Sequence, residues 1–145
     1  MDLGPGAAAA GQARKLGIVE GSRVRLVGAP PDWSLADPPT GVVVERVDPP
    51  LPPDGGTASG PAEVTIVFVR DSGELAAALP PGARPEARPA ALWICWPRRA
   101  GGHKSDLTDG DVRRAGLALG LVDNKVAAVD ADWSGLRFVR RRAAR

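Results

Sequence analysis

Residues 91–140 read ALWICWPRRAGGHKSDLTDGDVRRAGLALGLVDNKVAAVDADWSGLRFVR, and this stretch decides the fold. It opens with an unbroken apolar run over residues 92–96, which Pro97 ends. In this short run the residues at odd and at even positions are all apolar, which is typical of a strand that is covered on both faces. We therefore expect a central strand here, with the rest of the chain arranged around it.

A helix is expected after the central strand. Thr108 and Asp111 have the spacing of a capping box, in which a hydroxyl and a carboxylate satisfy the first amides of a helix. The helix should reach about Leu119. Gly120 suits the position after it, because glycine tolerates the left-handed conformation that ends many helices.

The order of the elements predicts the fold class. Two strands are expected over residues 125–129 and 136–140, joined around residues 133–135. Strand, helix, strand, strand is typical of the closing half of a Rossmann-like sheet. Strands are also predicted over 23–27, 42–47 and 63–69, and helices over 13–16 and 75–79, the second capped by Asp71 and Glu74. We therefore expect a three-layer, Rossmann-like α/β fold, with a mostly parallel sheet of about six strands and a C-terminal antiparallel hairpin.

The length of 145 residues fits a single domain, which we place over residues 12–141. Residues 1–11 are rich in glycine and alanine and are expected to form a disordered extension. Residues 48–62 and 80–90 are rich in proline and are expected to be flexible loops. Residues 142–145 form a basic tail.

The charge distribution argues against a nucleic-acid-binding surface. The formal net charge is +2, but four arginines lie in the last six residues. Without them, 15 basic residues stand against 17 acidic ones, so the body of the chain carries a net charge of −2. A basic face of the kind that binds nucleic acid is therefore not expected.

Other counts exclude further classes. A single Cys excludes an internal disulfide and fits a reducing cytoplasm. No apolar stretch approaches about eighteen residues, and the N-terminus lacks the pattern of a signal peptide, so no membrane contact is expected. One His and one Cys do not suffice for a zinc site, and no metal or cofactor is predicted.

The only histidine, His103, lies near Ser105 and Asp106 in the loop after the central strand. A catalytic nucleophile and base need a fixed hydrogen bond and an orienting third group, which a glycine-bearing loop seldom provides. We interpret these residues as part of a solvated basic loop, in which Asp106 or Ser105 helps to cap the next helix. No catalytic residue is predicted, and the sequence leans against an enzyme.

Tryptophans form the most prominent candidate site. Trp96 ends the central strand and Trp133 is placed at the hairpin, so strand ends are expected to bring the two together. Tryptophan beside arginine favours flat or anionic ligands and protein partners; the alternative is that each indole packs into the core. Trp93 and Trp96 have opposite parity, so at most one belongs to a single pocket. The candidate contact residues are Gly28, Trp96, Arg98, Arg99, His103, Ser105, Asp106, Lys125 and Trp133.

Six segments resemble an uncharacterised bacterial family, domain of unknown function 3052. They are KLGI at 15–18, VGAP at 27–30, LWICWP at 92–97, SDLT at 105–108, GLVDNK at 120–125 and WSGL at 133–136. The resemblance spans residues 13–141 and implies a bacterial protein, but it implies no activity.

At the level of fold, the closing half resembles the end of a class I methyltransferase sheet. Such proteins hold an adenosyl cofactor with the amides of a glycine-rich turn after the first strand. Here that turn has one glycine, Gly28, and then Pro30 and Pro31, which carry no N–H. Glu45 or Asp48 would have to fill the place of the residue that binds the ribose, and neither is well aligned.

Two functions follow as expectations. The first is a small non-enzymatic cytoplasmic protein that acts through contacts with a protein partner at the carboxyl ends of the strands. The alternative is a degenerate nucleotide- or S-adenosylmethionine-binding, methyltransferase-like protein.

Overall fold

The structure, a computed structural model, describes residues 11–47, 63–83, 91–98, 106–118, 120–130 and 132–140. The predicted N-terminal extension before Gly11, the Pro-rich segment 48–62, most of the segment 80–90 and the basic tail 142–145 lie outside these residues. None of the described helices is long and apolar enough to cross a membrane.

Three helices and six strands make up the described fold. The helices are α1 (Gln12–Leu16), α2 (Ser72–Ala83) and α3 (Asp109–Ala118). The strands are β1 (Arg23–Val27), β2 (Val43–Val47), β3 (Val64–Phe68), β4 (Ala91–Pro97), β5 (Leu121–Ala128) and β6 (Trp133–Arg140). Each predicted strand overlaps an observed one, but β5 and β6 begin earlier than predicted, at Leu121 and Trp133, and α2 extends to Ala83, into the predicted connector.

The predicted capping signals of α3 are confirmed. The Thr108 N–H donates to Asp111 Oδ2 at 3.1 Å, and the Asp111 N–H donates to Thr108 Oγ1 at 3.2 Å. Gly17 and Gly120 follow α1 and α3 with φ of 79° and 82°, a conformation that a residue with a Cβ adopts only with strain. The hairpin prediction is wrong in one respect: residues 133–135 belong to β6, and the chain turns before them.

The strands form one sheet in the order β2-β1-β3-β4-β6-β5. Neighbours from β2 to β4 pair parallel, whereas β4–β6 and β6–β5 pair antiparallel. Val27, Val67, Ile94 and Leu136 lie side by side across four strands, and all four are buried. This apolar row fixes the register, because a slip by one residue would turn it to the other face.

Each face of the sheet carries a separate core. On the first face, α2 contributes Leu75 and α3 contributes Val112 to the cover of the apolar row. On the second face, the cover comes from α1, through Leu16, and from the irregular segment that holds Trp33. Trp93 lies in this second core, where its Nε1–H donates to the Leu16 carbonyl at 3.0 Å.

The predicted fold class is wrong. The chain forms an α/β structure with a mixed sheet and few helices, not a three-layer Rossmann-like sandwich with a mostly parallel sheet. The physical reason lies on the second face, where the described cover is the five-residue helix α1 and irregular chain around Trp33. The hydrophobic pattern of a strand records that a face is covered, but not whether a helix covers it.

Candidate functional site

A cavity of about 410 Å³ lies where β1, β3 and β4 end and β6 begins. We call it the edge cavity. Ligands of sheets with parallel strands bind most often at this carboxyl edge. The cavity is lined by Pro30, Asp32, Trp33, Arg70, Pro97, Asp132 and Trp133.

The floor of the edge cavity is an aromatic cluster. Phe68 lies between two indoles and meets both edge to face, with ring centroids 5.0 Å from Trp33 and 4.9 Å from Trp133. The Trp33 Nε1–H donates to Asp130 Oδ2 at 2.8 Å. Trp33 is 7% and Trp133 9% exposed, so both indoles pack mainly as core and present only a small area to the cavity.

One wall of the cavity is the side chain of Arg70, which is fixed by several contacts. Its guanidinium carbon lies 5.8 Å from the ring centroid of Trp133, within cation–π range. Its Nη2 donates to the Gly28 carbonyl at 2.9 Å, and its Nη1 lies 3.4 Å from Glu74 Oε1. The guanidinium charge is therefore already matched by a carboxylate and a ring face.

Two further arginines hold the loops around the cavity in the same way. Arg46, on β2, donates from Nη1 to the Pro30 carbonyl at 3.2 Å and from Nη2 to the Trp33 carbonyl. Arg98, after β4, donates from Nη1 to the Asp130 carbonyl at 2.9 Å. Together with Arg70 they form three arginine braces. Because side chains of the strand ends tie down the loops, the cavity is preformed, and less ordering cost accompanies binding.

The carboxylates near this edge cap helices and turns. Asp106 accepts from the Ser72 N–H at 3.0 Å and from Ser72 Oγ at 2.7 Å, which caps α2. Asp71 accepts from the Glu74 N–H at 2.9 Å. Asp130 Oδ1 accepts from the amides of two residues in the hairpin turn, at 2.8 and 2.9 Å. Helix N-termini attract anions, and here the chain's own carboxylates occupy them.

The predicted meeting of Trp96 and Trp133 is wrong. On the antiparallel ladder Trp96 pairs with Ser134 and Pro97 pairs with Trp133, so the two indoles point to opposite faces of the sheet. Trp96 belongs to the first core and lines a second cavity of about 390 Å³, together with Arg98 and the start of α3. Only Trp133 of the pair lines the edge cavity.

The other candidate residues are scattered. Gly28 lies beside the edge cavity, with φ of 71° and its N–H bonded to the Val47 carbonyl at 3.2 Å. Lys125 is paired with Arg137 on the ladder and lines neither cavity, and its Nζ donates to the Lys15 carbonyl at 3.2 Å. Asp106 caps α2 and not the helix that follows it, so the cap expected from it is found on a different helix. Arg99, His103 and Ser105 lie outside the described residues.

The sequence did not indicate most of the edge cavity. Trp33 and Asp130 are hydrogen-bonded although 97 positions separate them. Arg70 lies next to a predicted cap, and Asp32 and Asp132 are single acids in loops. No local pattern connects these residues, because the sheet brings their loops together.

The buried position of Cys95 does not suit a nucleophile. It is fully buried in β4, and burial raises the pKa of its thiol well above the ordinary value, with a smaller contribution from the charge of Asp130. A neutral, buried thiol is a poor nucleophile and a poor metal ligand. Among the described residues, no group of three or more His, Cys, Asp or Glu side chains is arranged to hold a metal ion.

Glu45, one of the two acids expected at the ribose-binding position, already has a partner within the chain. Glu45 Oε1 lies 3.3 Å from Nε of Arg25, whose side chain is 2% exposed, so this carboxylate serves a largely buried ion pair. Asp48, the other candidate, lies outside the described residues.

No protein-family model matches the chain, and no curated protein matches it. The resemblance to domain of unknown function 3052 therefore stays a prediction that the six quoted segments carry.

Proposed function

We propose that this chain is a non-enzymatic protein that binds a protein partner at the edge cavity. The observation that carries the proposal is the set of three arginine braces, Arg46, Arg70 and Arg98, which hold the cavity loops in place. A preformed site at the carboxyl edge of parallel strands is suited to binding, since its loops need not be ordered when the partner arrives.

The hydrogen bonds of the acidic side chains support a binding function over a catalytic one. A general acid or base must reach the reacting group, and its pKa must suit the task. Asp71, Asp106, Asp111 and Asp130 instead accept hydrogen bonds from backbone amides of their own caps and turns. Each of these carboxylates stabilises its own cap or turn and would have to leave it to take part in a reaction. We therefore assign none of them a role in a chemical step.

The alternative, a nucleotide- or adenosyl-binding protein, has one observation on its side. A cavity of about 280 Å³ lies between the ends of β1 and β2, lined in part by Gly28, Arg46 and Val47. Against it stand the capped helix starts and the Gly28 carbonyl, which accepts from Arg70. A thermal-shift screen with S-adenosylmethionine, NAD and ATP tests it. At a hundred times the dissociation constant a ligand adds about 2.7 kcal/mol, which shifts the midpoint by several degrees.

The family resemblance and the composition add two further proposals, namely a bacterial protein and a cytoplasmic location. Both rest on the sequence alone, through the six quoted segments and the single Cys.

The partner proposal is tested by co-purification with a tagged chain. Asp32→Lys places a cation at the mouth of the edge cavity, and Asp32 is exposed, so the fold should tolerate it. Glu20→Lys makes the same charge change at an exposed residue before β1, at the opposite edge. We expect a stoichiometric partner with the wild type and Glu20→Lys, but not with Asp32→Lys. A partner retained by Asp32→Lys, or no partner with any chain, would contradict the proposal.

A further inference from the structure

The two outer edges of the sheet differ in how open they are to a further strand. β5 forms one edge and β2 forms the other. We infer that β2 pairs with β2 of a second copy of this chain, antiparallel across a two-fold axis, so that two sheets join into one. This inference goes beyond the proposed function and is independent of it, since the lining of the edge cavity includes no residue of β2.

The edge formed by β5 carries features that oppose strand addition. Its ladder with β6 is interrupted by a bulge between Asp123 and Lys125, and a bulge bends an edge strand away from a neighbour. Lys125 is exposed on this strand, and a charged edge disfavours pairing. Lys15 Nζ donates to the Ala128 carbonyl at 3.2 Å, so a side chain of the chain itself already takes one backbone acceptor of β5.

The outer edge of β2 is regular. β2 pairs with β1 without a shift of register from Val43 to Val47. The Val43 N–H donates to a carbonyl before β1 at 3.0 Å, and the Val47 carbonyl accepts from an amide after β1 at 3.2 Å. Backbone groups alternate in direction along a strand, so those of Val44 and Arg46 face outwards. No other strand of the described residues pairs with them, because β2 ends the sheet.

Exposed apolar side chains gather at this edge. Five large apolar side chains are exposed among the described residues, and three of them, Val19, Val43 and Val44, lie here, with exposures of 65%, 57% and 42%. Ser22 connects them, since its N–H donates to the Val19 carbonyl at 3.1 Å and its carbonyl accepts from the Val43 N–H. Apolar surface beside outward-facing backbone groups is a common mark of a protein interface.

The charges of β2 determine how a second copy fits. In an antiparallel pair the outward groups of Val44 and Arg46 face those of the other copy, which allows a two-fold axis at Val44, Glu45 or Arg46. An axis at Glu45 or at Arg46 sets that residue against its own copy, and like charges directly opposite each other are destabilising. An axis at Val44 sets Val44 against itself and Val43 against Glu45 of the second copy. We therefore assign the axis to Val44.

The two edges also set the size of the assembly. The pairing uses β2 of both copies, and the outer edges of the joined sheet are then the two protected β5 strands, so assembly stops at two copies. β2 has five residues, and the contact is smaller than the total of about 1,200 Å² that a stable dimer buries. We therefore expect a reversible dimer, with a dissociation constant between about 1 µM and 1 mM.

Sedimentation equilibrium tests the association. Between about 10 µM and 1 mM chain, the average mass should rise from the monomer value towards twice that value. Val44→Lys sets a charge against its own copy and should raise the dissociation constant at least about tenfold. Val126→Lys makes the same change on the β5 edge, where Val126 is 49% exposed, and should leave the constant unchanged.

A second variant guards against a loss of folding. Val43→Glu sets a carboxylate against Glu45 of the second copy, and it should weaken the dimer as Val44→Lys does. Both valines are exposed, so both variants should keep the thermal unfolding midpoint of the monomer.

Cross-linking tests the position of the axis. Directly opposite residues lie about 5.5 Å apart between Cα atoms, within reach of a disulfide, whereas diagonal neighbours lie about 7–8 Å apart. Val44→Cys should therefore form a covalent dimer under mild oxidation faster than Val43→Cys, whose copies are diagonal. The native Cys95 is fully buried and does not compete.

Four results would overturn the inference. They are a wild type that stays monomeric at about 1 mM, a dimer that Val44→Lys leaves unchanged, a dimer that Val126→Lys weakens equally, and a Val43→Cys variant that links at least as fast as Val44→Cys.

Discussion

Arg70 and Trp133 meet at the edge cavity, with the guanidinium carbon of Arg70 5.8 Å from the ring centroid of Trp133. Arg70 follows β3 and Trp133 opens β6, so the contact ties together two strands that are not neighbours in the sheet. The same guanidinium donates to the Gly28 carbonyl after β1. One side chain therefore holds three strand ends around the cavity.

Arg70→Met should lower the free energy of unfolding by about 1 kcal/mol, because it removes a cation–π contact and a hydrogen bond while keeping the aliphatic stem. Urea denaturation measures the change. Arg114→Met is the control, since Arg114 is exposed and its ion pair with Asp111 lies at the surface of α3. Its loss should stay within about 0.5 kcal/mol. Equal losses would show that Arg70 is an ordinary surface residue.

Asp106→Ala should destabilise the start of α2. The variant removes two hydrogen bonds to Ser72, and loss of a helix cap costs about 1 kcal/mol. Amide exchange should accelerate in the first turn of α2 and stay unchanged in α3. Asp109→Ala is the control, because its carboxylate makes a surface ion pair with Arg113 at 3.7 Å. Uniform acceleration across the whole domain with Asp106→Ala would speak against a local capping role.

Gly116→Ala should destabilise the protein although alanine is the better helix former. A Cβ at Gly116 would lie 2.5 Å from Cζ of Phe138 and closer still to Cε1. Overpacking of this kind costs about 1–3 kcal/mol, against a gain in helix propensity of about 1 kcal/mol.

Gly110→Ala is the matched control in the same helix. Its Cβ would lie 3.5 Å from Arg114 Nη1, an ordinary contact, so stability should stay equal or rise. Adding Phe138→Leu to Gly116→Ala should recover part of the loss. A stabilised Gly116→Ala variant in thermal unfolding would mean that α3 does not pack this closely on β6.

Burial of Cys95 should make the protein less stable at alkaline pH. The pKa of the thiol is raised in the folded state above its ordinary value of 9.0, first by burial and then by the charge of Asp130. Above that ordinary value the unfolded chain loses the thiol proton and the folded chain keeps it. The free energy of unfolding therefore falls as pH rises, by about 1.4 kcal/mol per pH unit for one group.

The control for this pH dependence is Cys95→Ala. The chain has no Tyr, so phenol ionisation does not overlap the thiol titration. Urea midpoints are measured between pH 8 and 10.5, on the order of one unit on either side of the thiol pKa. The midpoints should fall more steeply with pH for the wild type than for the variant. Parallel pH profiles would show that Cys95 ionises equally in both states.

Local structure was predictable from the sequence where local chemistry decides it. Residues 92–96 are apolar at both parities and form β4, and Thr108 with Asp111 forms the expected cap. The parity of Trp93 and Trp96 also placed them correctly on opposite faces of the sheet.

Features that depend on several loops were not predictable. Trp133 lies on the face opposite Trp96 because the β4–β6 ladder pairs it with Pro97, and the register between two strands distant in sequence is not determined by either strand alone. The bond from Trp33 to Asp130 spans 97 positions. The predicted fold class was wrong for the same reason. The short helix α1 and the irregular Trp33 segment cover the second face, for which the sequence suggested a full layer of helices.

Amide hydrogen exchange on the co-purified complex, compared with the free chain, tests the central claim most directly. If a partner docks at the edge cavity, exchange should slow in the segments that hold Asp32 and Trp33 and that hold Asp132 and Trp133. The exposed residues Val43 and Val44 of β2 should exchange as in the free chain. Slower exchange at β2, with the cavity segments unchanged, would contradict docking at the edge cavity and place the partner on the edge strand instead.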